Sequence, residues 1–205
     1  MLYRVAVALL WPLTRIVFRP RLTGLEHLPK QSAFVVAANH LSGFDTFALG
    51  YALAPRVAHY MAKNQLLRRR LVGPFLRSLG AFPAHGSGSG AGVTAAAAFT
   101  GSGHVVVIFP MGVRQRLDRE HRPHAGAAFT ALLGEVPLVP AALAGTDGWR
   151  RLRPWRIAFG PSIPLDDLRG LERTEAARRA THRLWDAIRE LGDTLGVQVP
   201  EAAMS

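Results

Sequence analysis

The sequence predicts an α/β domain with a mostly parallel central sheet covered by helices, and two patterns carry that prediction. Short continuous apolar runs, such as "SAFVVAAN" at 32–39 and "HVVVIFP" at 104–110, suit strands buried on both faces better than strands with one wet face. Helix-length segments separate these runs, and Gly or Pro bounds them, which is the rhythm of repeated strand-helix units. At 205 residues and 49% hydrophobic composition, the chain is sized for a single domain.

In chain order, the first element is "MLYRVAVALLWPLTRIVFRPRL". It is apolar, with Arg4, Arg15, Arg19 and Arg21 spaced through it. Its uncharged stretch between Arg4 and Arg15 is well short of the roughly 20 residues needed to cross a bilayer. The segment therefore reads as an interfacial helix over residues 1–20, with Trp11 and its aliphatic neighbours in lipid and the arginines among headgroups. A packed first helix is the competing reading. The remaining chain, 21–205, forms the domain. Its strands are expected at 32–39, 56–62, 104–110, 136–143 and 155–160, where apolar and β-branched residues cluster. Helices are expected at 45–54, 64–79, 90–101 and 125–134, and a long amphipathic one at 173–195 stops short of Pro200. "HGSGSGAG" at 85–92 is a flexible loop by composition.

Composition narrows the chemistry. There is no cysteine, which removes thiol nucleophiles, disulfides and Cys-ligated zinc together. The formal charge of +11 comes almost wholly from arginine, since Lys30 and Lys63 are the two lysines. Such a surface favours anionic partners, although a compositional bias toward Arg, Ala and Gly would produce the same excess. Arginines near Trp149, Trp155 and Trp185 suit a lipid interface as well as single-stranded nucleic acid, and no nucleic-acid motif accompanies them. "GAGVTA" at 90–95 has neither a preceding strand nor the later acidic residue of a dinucleotide site. "HRPH" at 121–124 lacks a matching carboxylate, so no metal site is expected there.

Ligands of α/β sheets gather beyond the carboxyl ends of strands. Two stretches lie there, one around His40 and one at Arg114, after the strand ending at Pro110. In "NHLSGFD", His40 follows the 32–39 strand and Asp45 opens a helix pattern. A carboxylate that accepts the imidazole N–H would make His40 a general base with Asp45 as its orienting partner. The alternative is a helix start, with Ser42 as the cap and Asp45 as the first-turn acid, but this leaves His40 without a role. No G-x-S-x-G supplies a nucleophilic serine, so direct transfer to a bound hydroxyl is the simplest chemistry.

"NHLSGFD" resembles the Asn-His-x4-Asp signature of the glycerolipid, or lysophosphatidic acid, acyltransferase family. Three more blocks match in order: "MAKNQLLRRRLVGPFLRSLGAFPA", "VVVIFPMGVRQ" and "GEVPLVPAAL". The resemblance covers about residues 20–165. It implies transfer of a fatty acyl group from acyl-CoA or acyl carrier protein to a lysolipid hydroxyl of the 1-acylglycerol-3-phosphate kind, in phospholipid biosynthesis. The expected setting is the cytoplasmic face of a membrane bearing anionic lipids, with the protein peripheral or monotopic. No cofactor beyond the thioester co-substrate is implied, and no nucleic acid.

Carried over, the resemblance makes His40 the base and Asp45 its partner. Arg114 falls at the basic position that suits an acceptor phosphate, Gly112 lets the backbone approach, and Lys63 lies in the substrate-binding strand block. The chain departs from the family where a glutamate is usual: Met111 stands there, expected to offer an apolar wall beside Arg114, and Val113 replaces the usual threonine. The arginine usual after Gly-x-Phe-Pro is also missing, leaving Arg68, Arg69 and Arg70 as substitutes. These departures keep open a different lipid or amine acceptor, or a lipid-binding homologue without turnover.

Overall fold

The computed structural model describes residues 12–70, 72–78, 80–84, 90–114 and 122–201. Seven strands form one sheet: β1 (Arg21–Thr23), β2 (Phe34–Ala38), β3 (Ala58–Lys63), β4 (Ala81–Ala84), β5 (Val105–Ile108), β6 (Leu138–Ala144) and β7 (Arg156–Phe159). Their order is β1-β7-β6-β2-β5-β3-β4. Neighbours are parallel except β6 and β7, so β7 and its parallel partner β1 run against the other five. The mostly parallel sheet read from the apolar runs is present. β2, β5 and β6 are buried at every residue, which is why their sequences do not alternate.

Helices cover both faces. Residues 12–18 are helical (α1). They are followed by α2 (Asp45–Leu53), α3 (Asn64–Leu67), α4 (Val72–Ser78), α5 (Ala91–Gly101), α6 (Gly126–Gly134) and α7 (Arg173–Thr194). α2 packs on one face with Phe34, Val36, Val107, Val139 and Trp155. α5, α6 and α7 pack on the other with Val35, Ala37, Val106 and Leu138. Alternate residues of β2 thus feed opposite cores, as a period of two requires.

α7 shows how sequence sets an element. Glu172 caps it, accepting from the N–H groups of Thr174 and Glu175, and so satisfies two otherwise orphaned donors. Ala177, Ala180, Leu184, Trp185 and Ile188 recur at helical spacing and are buried. Each large one contributes about 2 kcal/mol of apolar burial. On the wet side, Arg178 and Arg179 both bond Glu175 and hold its carboxyl down to about 2.

The structure corrects the element list in three places. The helix expected at 64–79 is two, because Pro74 has no N–H to continue a helix and fits the first turn of α4 instead. Both edge strands, β1 and β4, went unread: β1 has three residues, and Pro83 in β4 is tolerated only because that strand is an edge. Of the interfacial helix at 1–20, residues 1–11 lie outside the described residues, so the structure speaks only to 12–18. There Phe18 stacks on Trp155 at 4.1 Å between ring centres, and Arg19 donates to the Leu152 carbonyl. Leu13 and Ile16 point away, 56% and 75% exposed. Among the described residues, no helix is long and apolar enough to cross a membrane.

Candidate active site

The carboxyl ends of β2, β5 and β6 lie side by side, and the loops leaving them build the site. Asn39, immediately after β2, is fully buried. Its amide donates to the Leu143 carbonyl at 3.0 Å and accepts from the Leu143 N–H at 2.8 Å. A side chain thereby extends the β2–β6 ladder one step and holds the start of the loop that carries His40.

Asp45 is the first residue of α2 and completely buried. Its Oδ2 accepts from His40 Nδ1 at 2.7 Å, from Leu41 N–H at 2.6 Å and from Ser42 N–H at 2.8 Å. Its Oδ1 accepts a short bond from the Thr146 hydroxyl. Four donors meet the roughly four lone-pair sites of an ionised carboxylate. Since such a carboxylate only accepts, Nδ1 of His40 carries the proton and Nε2 keeps its lone pair. The imidazole stacks on Phe109, with ring centres 4.2 Å apart and planes 20° from parallel. Its side chain is 18% exposed against 0% for Asp45, so one ring nitrogen is held from inside and the other is left for a substrate.

The helix-start reading of "NHLSGFD" holds only for Asp45, which is the acid in the first turn of α2. Phe44, not Ser42, precedes α2, and no side chain caps it. The Ser42 hydroxyl accepts from the Phe44 N–H and donates to the Thr146 carbonyl, making a local turn that joins the loop after β2 to the loop after β6. Asp45 turns its carboxylate back into this loop. Thr146 and Phe109 were not read as site residues. The one signal for each was its place just past a central strand, which many non-functional residues share.

The remaining candidates divide. Arg114 is exposed and reaches the same loop: a Cβ on Gly43 would lie 3.4 Å from its guanidinium. Gly112 has φ +61°, in the left-handed region where L side chains are strained, and a Cβ there would come within 3.4 Å of the His124 ring. His124 is exposed and lies against Gly112. Met111 is not the expected wall beside Arg114. It is 4% exposed and packs in the core under α5, α6 and α7, on the face opposite α2. Lys63 closes β3, two strands from β2, so its backbone lies on the same edge of the sheet. Arg68, Arg69 and Arg70 are exposed between α3 and α4, and none of their contacts ties them to His40. Among the described residues, no group of His, Asp and Glu could hold a metal ion.

A histidine anchored by a buried carboxylate, with one arginine close by, has the chemistry to take a proton from a hydroxyl near an anionic group. Comparison with known proteins points the same way. A family model described as Acyltransferase matches residues 19–144. A 1-acyl-sn-glycerol-3-phosphate acyltransferase of Bacillus subtilis is 32% identical over 174 residues, 83% of this chain and 86% of the relative. One from Streptococcus pneumoniae is 25% identical over 150 residues, 70% of this chain and 55% of the relative. In fold, the chain resembles the crystal structure of the 1-acyl-sn-glycerophosphate (LPA) acyltransferase PlsC from Thermotoga maritima. The TM-score is 0.65 at 18% identity, covering 95% of this chain and 81% of that one. With a family match that spans the sheet from the residues before β1 to the end of β6, and with the base and its partner inside it, this chain belongs to the acyltransferase family.

Proposed function

We propose that the protein transfers a fatty acyl group from a thioester, acyl-CoA or acyl carrier protein, to the free hydroxyl of a 1-acylglycerol-3-phosphate-like lysolipid in phospholipid biosynthesis. The observation that carries this reading is the saturated Asp45, which fixes His40 with Nε2 outward. Nε2 takes the proton as the acceptor oxygen attacks the thioester carbonyl. The tetrahedral intermediate then collapses with cleavage of the carbon–sulfur bond, and Nε2 returns the proton to the leaving thiolate. No covalent enzyme intermediate is needed. Arg114, beside Gly43, is placed to pair with the acceptor phosphate, and a guanidinium fork suits phosphate oxygens.

The reading includes work at the cytoplasmic face of a membrane with anionic lipids, as a peripheral protein. What supports it is a set of exposed apolar side chains on neighbouring elements. Leu13 and Ile16 of α1, Phe47 of α2, and Trp149 and Leu152 of the 3-10 turn Trp149–Arg151 are all exposed. Phe44 joins these parts, with ring centres 4.9 Å from Trp149 and 6.0 Å from Phe47. Arg150 and Arg151 flank the aromatics, as at a headgroup boundary. The departure at Met111 falls in the core, so it does not favour a homologue without turnover.

The test is incubation of the purified protein with labelled acyl-CoA or acyl carrier protein and a panel of lysolipids. Consumption of 1-acylglycerol-3-phosphate ahead of uncharged lysolipids is the expected result. Absence of transfer from both donors would overturn the reading.

A further inference from the structure

On the other face of the sheet from α2, at the same edge as His40, a concavity of about 400 Å³ is lined by Arg21, Arg153, Arg156, Asp147, Gly145 and Val197. Three arginines against one aspartate among the lining residues leave it positive. Arg21 and Arg156 are direct partners in the parallel β1–β7 register, so their side chains leave the same face of the sheet next to one another. Like charges directly opposite destabilise a sheet unless something between them is negative. Among the described residues, none of the three arginines is in an ion pair.

Backbone geometry holds the third arginine in place. Gly145 has φ +84°, and a Cβ there would collide with the Pro154 carbonyl, so the 145–148 loop lies directly on the 153–154 segment. The stem of Arg153 crosses Gly148 so closely that an added Cβ would meet its Cγ at 2.9 Å. The same loop carries Thr146, whose hydroxyl bonds Asp45. One side of the loop therefore holds the base's partner while the other lines the cavity.

We propose that this cavity is a second anion site, which takes a phosphate monoester or diester through Arg21, Arg153 and Arg156, apart from the acceptor phosphate at Arg114. Guanidinium forks converging on one concavity match phosphate oxygens. Two sources share that chemistry: a phospholipid headgroup at the membrane and the nucleotide end of coenzyme A. The inference does not rest on which lysolipid is the acceptor.

The experiment measures binding without turnover, so its failure is separate from a failure of acyl transfer in the wild type. Coenzyme A is titrated by calorimetry, and phosphatidylcholine vesicles with and without phosphatidylglycerol are sedimented. Both are compared between wild type and Arg153→Gln/Arg156→Gln, with Arg153→Gln alone if the double variant does not fold. At least a tenfold loss of affinity is expected for one probe: for vesicles if the headgroup is bound, for coenzyme A if the nucleotide is. Arg169→Gln/Arg189→Gln, two exposed arginines in other ion pairs, removes the same charge and should change neither by more than twofold. Unchanged binding of both probes, or an equal loss in this second variant, would overturn the proposal.

Discussion

Asp45 receives four hydrogen bonds out of contact with water, and each donor it loses leaves part of a buried charge unpaired. His40→Ala should reduce acyl transfer by about 10³-fold or more, because no other base lies in the loop. Asp45→Asn should lose on the order of 10²–10⁴, since an amide no longer dictates which imidazole nitrogen carries the proton. Thr146→Val keeps the carboxylate and removes one donor, so a smaller loss in kcat with little change in KM is expected. Steady-state rates on proteins with matched melting curves check all three. At the mouth, Arg114→Ala should raise the KM for a phosphorylated acceptor at least tenfold and leave an uncharged one nearly unaffected. Equal effects on both would place phosphate recognition elsewhere. Met111→Glu introduces a carboxylate into the core beneath α5, α6 and α7. It should lower stability by about 2–4 kcal/mol in urea unfolding, and an unchanged midpoint would mean that this position opens to water.

At the scale of elements, the ends of strands were more legible than the edges of the sheet. Of the five strands read from sequence, β2, β5, β6 and most of β7 are buried runs, where burial forces an apolar pattern, and β3 alternates buried and half-buried residues. β1 and β4 escape because a three-residue edge and a Pro-containing edge need no such pattern. The reversed direction of β7 was equally silent, since a short buried strand has the same composition either way. Within the site, His40, Asp45 and Arg114 were readable because their chemistry stands out from their surroundings. Thr146 was not: its partner lies 101 residues away, and no local spacing marks such a bond. Met111 was misplaced because neighbours of functional residues in sequence were taken as neighbours in space. Yet Met111 and Arg114 lie on a turn, in which the Gly112 N–H bonds the Phe109 carbonyl, and that turn puts Met111 in the core and leaves Arg114 exposed.

β3 also carries a pH dependence that the site does not use. His59 stacks on Phe99 and lies 4.3 Å from its ring centre, with His104 at 4.7 Å. Burial first, and then the neighbouring His104, lower its pKa from 6.5, while a hydrogen bond that its imidazole donates to the Gly80 backbone partly opposes them. The unfolded chain, with an ordinary histidine, binds this proton more readily than the folded one. Stability should therefore fall as pH drops below about 6.5 and be insensitive to His59 above it. His104→Ala should move the His59 titration upward, as read from imidazole proton shifts, and should flatten the loss of melting temperature between pH 7 and pH 5.5. A His59 titration that does not move would assign the shift to burial alone.

For the molecule as a whole, the proposed membrane binding has two separable sources, the net charge of +11 and the exposed apolar side chains. Leu13→Asp/Ile16→Asp should weaken sedimentation with anionic vesicles several-fold at all salt concentrations, because it removes apolar insertion. Raising ionic strength should weaken the wild type progressively through screening. Both side chains are exposed, so the melting temperature should hold. Binding that is unchanged in this variant would put the docking surface elsewhere.

The pairing of β1 with β7 has a consequence in time. Arg19 and its acceptor Leu152 are 133 residues apart, and β1 has no neighbour in the sheet other than β7. During synthesis at about 5–20 residues per second, the beginning of the chain waits on the order of 10 seconds for the strand that will receive it. Meanwhile β2 to β6 can assemble without it, since their pairings are all among themselves. Phe18, Arg19 and β1 thus stay without their partners until β7 has been made, and α7 follows later still. For that interval the segment bearing Leu13 and Ile16 has no sheet partner, which is the time in which a lipid surface would compete for it under the proposed membrane setting.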